Sequence, residues 1–479
     1  MRTAEEYKKS IASMNRNVYM NGDLVDRYDP MLIPGVNTVC ATYDAQTDDD
    51  PEIRELATAT SHLTQETISR FSHMHQNIDD LLKKQKMTRK LCHRTGTCIL
   101  RCMGIDALNA LSVATHEIDQ KKSTAYHDRF LDYLRFFQKN DIAATCAQTD
   151  VKGNRKLRPH QQADPDLYVR VVERKSDGII VSGAKAHITM AAISEELLVI
   201  PTRMMGKDDA DWAVAFAIPA DADGIKLSTL GKYPIPRKKL EAPFPTFGSS
   251  DSMVIFDNVF VPNERVFMCG EWEFAGRLAL LFALYHRHSY TGCKPAITDV
   301  LMGLTALVSD YMGVGKAQHV RHALAELISV AELVYAAGMA GAYEAHETSS
   351  GTWEPDVVYC NVGRRHAGVN IYGEYEKLCE IAGGLCATLP MEGDFYNPDI
   401  KDLLHKYIMR REDIPAETQH RIYRMIMDYI VSAQAASKLI SGVHGGGSPI
   451  MEEIAIYGNY DIESKKKIAK NLAGIGEKD

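Results

Sequence analysis

The chain has 479 residues and a mass of 53.4 kDa, with 45% apolar and 25% charged side chains, the proportions of a globular protein large enough for about two to four domains. Its 55 Lys and Arg against 63 Asp and Glu leave a net charge of −8, which argues against the clustered cations of a nucleic-acid partner. No run of about 18 apolar residues is evident, the greasiest stretch being Leu278 to Tyr285, so no membrane span is expected.

Met1 to Tyr7 is polar, with no signal-peptide core, and the expected location is the cytosol. There, ten cysteines point to packing, metal or redox roles rather than disulfides.

In chain order, Ala4 to Met20 reads as a helix stopped by Asn21-Gly22; Ile53 to Lys84, Met87 to Ile118 and Tyr126 to Asn140 follow as helices. Short β-branched runs come next: Leu167 to Arg174, Gly178 to Gly183, Glu196 to Pro201, Trp212 to Pro219 and Met253 to Asp257, bounded by Gly, Pro or Asp. They read as an antiparallel sheet or small barrel. Helical periodicity returns near 273–312, 316–347, 354–385 and 414–442. The order gives an α+β fold with an N-terminal helical domain (1–142), a middle antiparallel β domain (143–272) and a C-terminal helical bundle (273–479).

Some chemistries are poorly supported. Gly313-Val-Gly-Lys316 lacks the first glycine of a phosphate loop, and His116-Glu117 and His346-Glu347 lack the second histidine of a zinc peptidase.

Four constellations remain. Cys98-x3-Cys102, read inside a helix, puts two sulfurs on one face, a geometry that suits either two ligands of one metal centre or two packed core thiols. His286-Arg-His-Ser-Tyr-Thr-Gly-Cys293-Lys294 gathers imidazole, phenol, thiol and ammonium. His286 and Cys293 share a face about 10 Å apart, so one centre takes both only if the helix bends, at Gly292, or if the centre is multinuclear. The remaining cysteines, Cys92 among them, read as core. His444-Gly-Gly-Gly-Ser-Pro449 is either a helix stop or a close approach to a planar ligand. Arg237-Lys-Lys239 beside Pro234 and Pro236 is a solvated loop or a phosphate contact.

With these residues assembled, the chain resembles the 4-hydroxyphenylacetate 3-hydroxylase superfamily, and within it the 4-hydroxybutyryl-CoA dehydratase/vinylacetyl-CoA isomerase branch. The motifs are Thr149-Asp150, Gly183-Ala-Lys-Ala-His-Ile-Thr189, Phe256-Asp-Asn-Val-Phe-Val-Pro-Asn-Glu264, Tyr285 to Lys294, Ile381-Ala-Gly-Gly-Leu385 and His444 to Pro449. Cys-x3-Cys with His-x6-Cys separates this branch from the flavin hydroxylases.

The resemblance implies an acyl-CoA-dehydrogenase-like fold and a homotetramer with FAD and one [4Fe–4S] cluster per subunit. Cys98, Cys102, Cys293 and His286 would be the cluster ligands, and Gln148, Thr149, Thr189, Gly445 and Gly446 flavin contacts. It further implies radical removal of water from an acyl-CoA. In that scheme His286 doubles as the α base, Tyr290 is an acid/base near the leaving group, Lys294, Arg89 and Thr189 supply pocket electrostatics, and Asp251 counts with the catalytic residues.

Leu100, Asp251 and Ser441 depart from the branch, which carries Gln, Glu and Glu there, and Gly446 replaces Ala. Because a serine without a neighbouring base is no substitute for a carboxylate, the expectation is retained chemistry on an altered acyl-CoA. The alternative from another class is a two-component flavin-dependent aromatic hydroxylase, which has no use for the thiols.

Overall fold

A computed structural model describes residues 1–232, 237, 239 and 246–475. Of the basic loop, Pro234, Pro236 and Lys238 lie outside the described residues. Arg237 is paired with the buried Asp428, and Lys239 lies 4.4 Å over the Tyr396 ring.

Helical segments flank a central β region, as the order of the sequence elements predicts. A six-stranded sheet runs Asp23–Val25, Val18–Met20, Ile225–Leu230, Asp251–Pro262, Gly178–Thr189, Arg170–Arg174. A four-stranded sheet runs Val266–Cys269, Val214–Pro219, Glu196–Val199, Ala144–Ala147. Pairing is antiparallel except between Val18–Met20 and Ile225–Leu230 and between Ala144–Ala147 and Glu196–Val199, which are parallel.

Four sequence-based expectations need correction, one of them the helix expected near 414–442, which is two, Ala416–Ile430 and Ala433–His444. The first helix spans only Ala4–Ala12, and Asn21-Gly22 is a hairpin turn with φ of 51° and 93°. Two positive φ values are the signature of the primed turns that Asn-Gly favours, so residues 18–25 join the β region. Ile53 to Lys84 is not one helix: Pro51–Ala57 is followed by a small hairpin, Thr58–Thr60 with Thr67–Ser69, before the helix Ile78–Thr95. The third break, at Gly96, lies in the functional site.

The backbone of the molecule is the 40-residue helix Trp272–Tyr311, on which Ile78–Thr95, Cys102–Lys122, Gln318–Tyr343 and Val357–Ala382 all pack. It contains Pro295, which has no N–H and frees the carbonyl four residues earlier. That carbonyl, Thr291 O, accepts instead from Gln85 Nε2 at 3.3 Å. The same seam explains Gly292, where a Cβ would sit 2.4 Å from the backbone oxygen of Gln85. The helix runs unbroken through Gly292, so the glycine permits a close crossing rather than a bend. Gly292→Ala is therefore expected to destabilise the fold by about 1–3 kcal/mol, the cost of overpacking a fixed contact. A lower denaturation midpoint at unchanged slope measures it.

Gln318–Tyr343 is long and apolar enough to cross a membrane, with a mean hydropathy of 1.5. Val320, Leu327, Ala331 and Val334 bury one face against the neighbouring helices. Ile328, Leu333 and Tyr343 on the rest are exposed.

Candidate functional site

Met87 to Ile118 is two helices, not one. Ile78–Thr95 ends at Gly96, whose φ of 63° makes it a left-handed C-cap, and the next helix starts at Cys102. Cys98 therefore lies in a loop, and the shared helix face expected for Cys98-x3-Cys102 does not exist. The loop achieves the meeting differently. Leu100 is buried with φ of 66°, a left-handed conformation that costs a branched aliphatic residue about 1–3 kcal/mol. This reversal turns the Leu100 N–H toward the Cys98 sulfur.

Cys98 meets the thiols of both Cys102 and Cys293. Hydrogen bonds from their S–H groups put it well below the ordinary thiol range. The same contact, with burial, pushes Cys102 and Cys293 well up. A bound cation is what would let all three ionise. Cys92, expected as core, is buried with Ile99 and Cys293 but also within electrostatic range of Cys98. All ten cysteines are free thiols.

The two turns between His286 and Cys293 are spanned by this loop, which runs along the helix. The ligand atoms of Cys102, Asp106 and His286 lie within 4.8 Å of one another, while Cys98 bridges from Cys102 to Cys293. His286 stacks on Phe282 at 5.6 Å, and its Nδ1 lies 3.0 Å from Asp106 Oδ2. A carboxylate only accepts, so Nδ1 carries the proton and the Nε2 lone pair is left for a metal or a substrate proton.

Asp106 is itself fully buried and accepts at Oδ1 from Lys84 Nζ at 3.1 Å and Ser289 Oγ at 2.9 Å. Sequence reading missed Asp106 and Lys84. The available signal was a lone carboxylate in an apolar run, one helical turn after Cys102.

Tyr290 donates to Gly442 O at 3.0 Å beneath the Arg364 guanidinium, 4.3 Å above its ring. Burial raises its pKa, so it stays a neutral donor. Lys294, one turn on, is buried and paired with Glu374 at 2.7 Å, a second carboxylate the sequence did not single out. Arg89 contacts Asp299, Glu332 and the Tyr335 ring rather than the thiols.

Asp251 faces Thr189 across the sheet and accepts from Thr189 Oγ1 and Lys232 Nζ, both at 2.6 Å. Gln148 Nε2 donates to Ala279 O, tying the sheet end to the long helix, and the Thr149 carbonyl accepts from Ala186 N.

The His444–Ser448 loop is clamped by two arginines: Arg287 Nε donates to Gly446 O at 3.0 Å, and Arg364 to Gly445 O at 2.7 and 2.9 Å. Gly446, with φ of 79°, packs its Cα side over His286, where a Cβ would lie 3.5 Å from Cδ2. His444 is within electrostatic range of His187, which itself senses Asp251. The loop therefore lies between the imidazole and the end of the sheet.

Two groups are implied here, and the residues fit both. Three thiols joined through Cys98, with one oriented imidazole, form a sulfur-rich donor set suited to an iron–sulfur cluster. For a flavin, the glycine loop allows close backbone approach, and the buried Arg364 Nη1 is unpartnered among the described residues, a donor left for an anionic group.

Such a fold and such a site define a class, and the chain belongs to it: the 4-hydroxyphenylacetate 3-hydroxylase family, whose N-terminal part matches residues 3–268 and whose C-terminal part matches residues 275–474. Within it, the chain is 40% identical to 4-hydroxybutyryl-CoA dehydratase/vinylacetyl-CoA-Delta-isomerase of Clostridium aminobutyricum over 99% of both sequences. The oxygen-tolerant archaeal 4-hydroxybutyryl-CoA dehydratase of N. maritimus superposes with a TM-score of 0.95 at 37% identity, covering 99% of this chain and 95% of that one. The oxygenase component of 4-hydroxyphenylacetate 3-monooxygenase from Thermus thermophilus is 29% identical over 97% of this chain and 96% of its own length.

Proposed function

We propose that this protein is an FAD- and [4Fe–4S]-dependent dehydratase/isomerase acting on an acyl-CoA of the 4-hydroxybutyryl type. The observation that carries the reading is the contact of Cys98 with both Cys102 and Cys293, with Cys102 beside His286 and Nδ1 of that histidine already committed to Asp106. The aromatic hydroxylases of the family have no use for such a set. Relatives named for dehydration of 4-hydroxybutyryl-CoA support it further.

Cys98, Cys102, Cys293 and His286 would hold the cluster. The flavin would lie against Gln148, Thr149, Thr189, Gly445 and Gly446. When bound, the flavin supplies one-electron chemistry and the cluster a Lewis-acidic iron.

The chain's own residues handle the protons. His286 presents Nε2 as ligand or α base. Tyr290, kept neutral by burial, would turn its O–H from Gly442 O to the departing hydroxyl. Asp251, bonded to Lys232, fixes Thr189. Lys294 and Glu374 form a buried charge pair behind Tyr290, and Arg89 braces the outer wall through Asp299. The exposed apolar residues of Gln318–Tyr343 suit burial in a homotetramer, and ten free thiols suit a reducing cytosol.

Ser441 is exposed, and its hydroxyl donates to Lys438 O at 3.2 Å. It adds no proton acceptor to the site, which supports an acyl-CoA other than 4-hydroxybutyryl-CoA itself. The test is anaerobic incubation of protein with counted iron, sulfide and FAD with 4-hydroxybutyryl-CoA and vinylacetyl-CoA, following products by mass. Cofactor-loaded protein is expected to convert them slowly, and Ser441→Glu to raise turnover of 4-hydroxybutyryl-CoA about 10²-fold or more, the worth of a placed general base. Protein with neither iron nor sulfide would overturn the reading.

A further inference from the structure

The helix Pro449–Asn459 leaves the glycine loop and packs against Val357–Ala382. In its first turn it buries a carboxylate. Glu452 is 1% exposed, its Oε1 lies 3.5 Å from Arg364 Nε, and Arg287 on the long helix is within electrostatic range of it. The next residue, Glu453, pairs instead with Arg365 at the surface, at 2.7 Å.

Arg287 and Arg364 are the two arginines that hold the loop. Between them they donate to the carbonyls of Val443, Gly445 and Gly446. The fit is close: a Cβ at Gly447 would sit 2.7 Å from Arg287 Nη2. Both guanidiniums are buried, so two like charges share a site with little water, facing carbonyl dipoles and the Asn361 side-chain oxygen. Burial pushes the Arg287 guanidinium down to about 10; Glu452 acts against that fall, and Arg364 adds to it. Among the described residues, Glu452 is the one carboxylate paired with either arginine.

We propose that Glu452 is the positioning residue of the glycine loop: as the shared counter-anion of Arg287 and Arg364, it keeps both guanidiniums on the loop carbonyls and so holds Gly445 and Gly446 in place for the flavin. This rests on the flavin reading above. Without the carboxylate, the two buried charges repel with nothing between them, and the strain is relieved when an arginine leaves its carbonyls. The loop's own backbone bonds, Gly445 N to Ser441 O and Gly447 N to His444 O, are local. They fix the shape of the turn, and the arginines fix where it lies. Gly446 and Gly447, with φ of 79° and 123°, give the released loop ample backbone freedom.

Anaerobically prepared holoenzyme tests this with Glu452→Gln, Glu452→Asp and Glu453→Gln. The readouts are the FAD dissociation constant, from the fluorescence of FAD released on dilution, and iron and sulfide per chain. Glu452→Gln is expected to weaken FAD binding at least about tenfold with iron and sulfide at the parent level, because its amide leaves both guanidiniums uncompensated. Glu452→Asp keeps the charge, and Glu453→Gln alters only the surface pair; both are expected within about threefold of the parent.

A Glu452→Gln protein with the parent's FAD affinity would overturn the assignment. So would a Glu452→Asp protein as weak as Glu452→Gln, which would mark a role of shape rather than charge. Loss of iron together with FAD from Glu452→Gln would also overturn it, as a general loosening of the fold. A parent chain that holds no FAD would instead refute the flavin reading, and this inference with it.

Discussion

Cys98→Ser is expected to strip the protein of iron. Cys98 is the sulfur on which the others converge: Cys102 and Cys293 both donate to it, and Leu100 adopts a left-handed backbone to bring an N–H to it. Serine keeps the size but offers a hard hydroxyl that stays protonated, with little affinity for iron. Bound iron should fall at least about tenfold, since losing even an outer partner of a metal ligand costs ten- to a hundredfold in affinity. Cys379→Ser, at an exposed thiol remote from the set, should leave iron unchanged. Iron and sulfide assays with the visible spectrum decide it. A Cys98→Ser protein with full iron would remove Cys98 from the ligands.

Asp106→Asn should produce the second large effect, by a different route. The carboxylate now accepts from His286, Lys84 and Ser289 at once. An asparagine can keep Lys84 and Ser289 on its Oδ1, but then its Nδ2 faces His286 and donates. Nδ1 becomes the acceptor, the ring proton moves to Nε2, and the ligating lone pair is lost. The expected result is a folded protein with iron affinity or activity down about 10–100-fold.

Asp106→Ala goes further, leaving the Lys84 ammonium buried with Tyr285 O at 3.1 Å as its one hydrogen-bond partner among the described residues, and should also lose about 3–5 kcal/mol of stability, the usual cost of breaking a buried pair. Thermal unfolding separates the two variants. Equal melting temperatures for Asn and Ala would show that the Lys84 pair carries no structural load.

Much of the architecture was legible because periodicity is local. The helices at 272–311, 318–343 and 357–382 and the β-branched runs of the two sheets follow from spacing and punctuation alone. Errors arose where one residue switched the backbone. Asn21-Gly22 was read as a helix stop and is a hairpin turn, and Gly96 and Leu100 divide what periodicity read as one helix. Positive φ at Leu100 has no local signal, because only surrounding structure holds a leucine there.

What the sequence by itself determined is the family, the helix–strand–helix order and the inventory of thiols and imidazole, since residue identity and short-range spacing are written in one dimension. Only the tertiary structure decided which of those groups meet. Cys98 reaches Cys293 across 195 positions because a loop, not a helix face, carries it, and Asp106 and Lys84 matter through neighbours far away in the chain. Such meetings depend on which surfaces the core buries against one another, and that is a property of the whole packed chain.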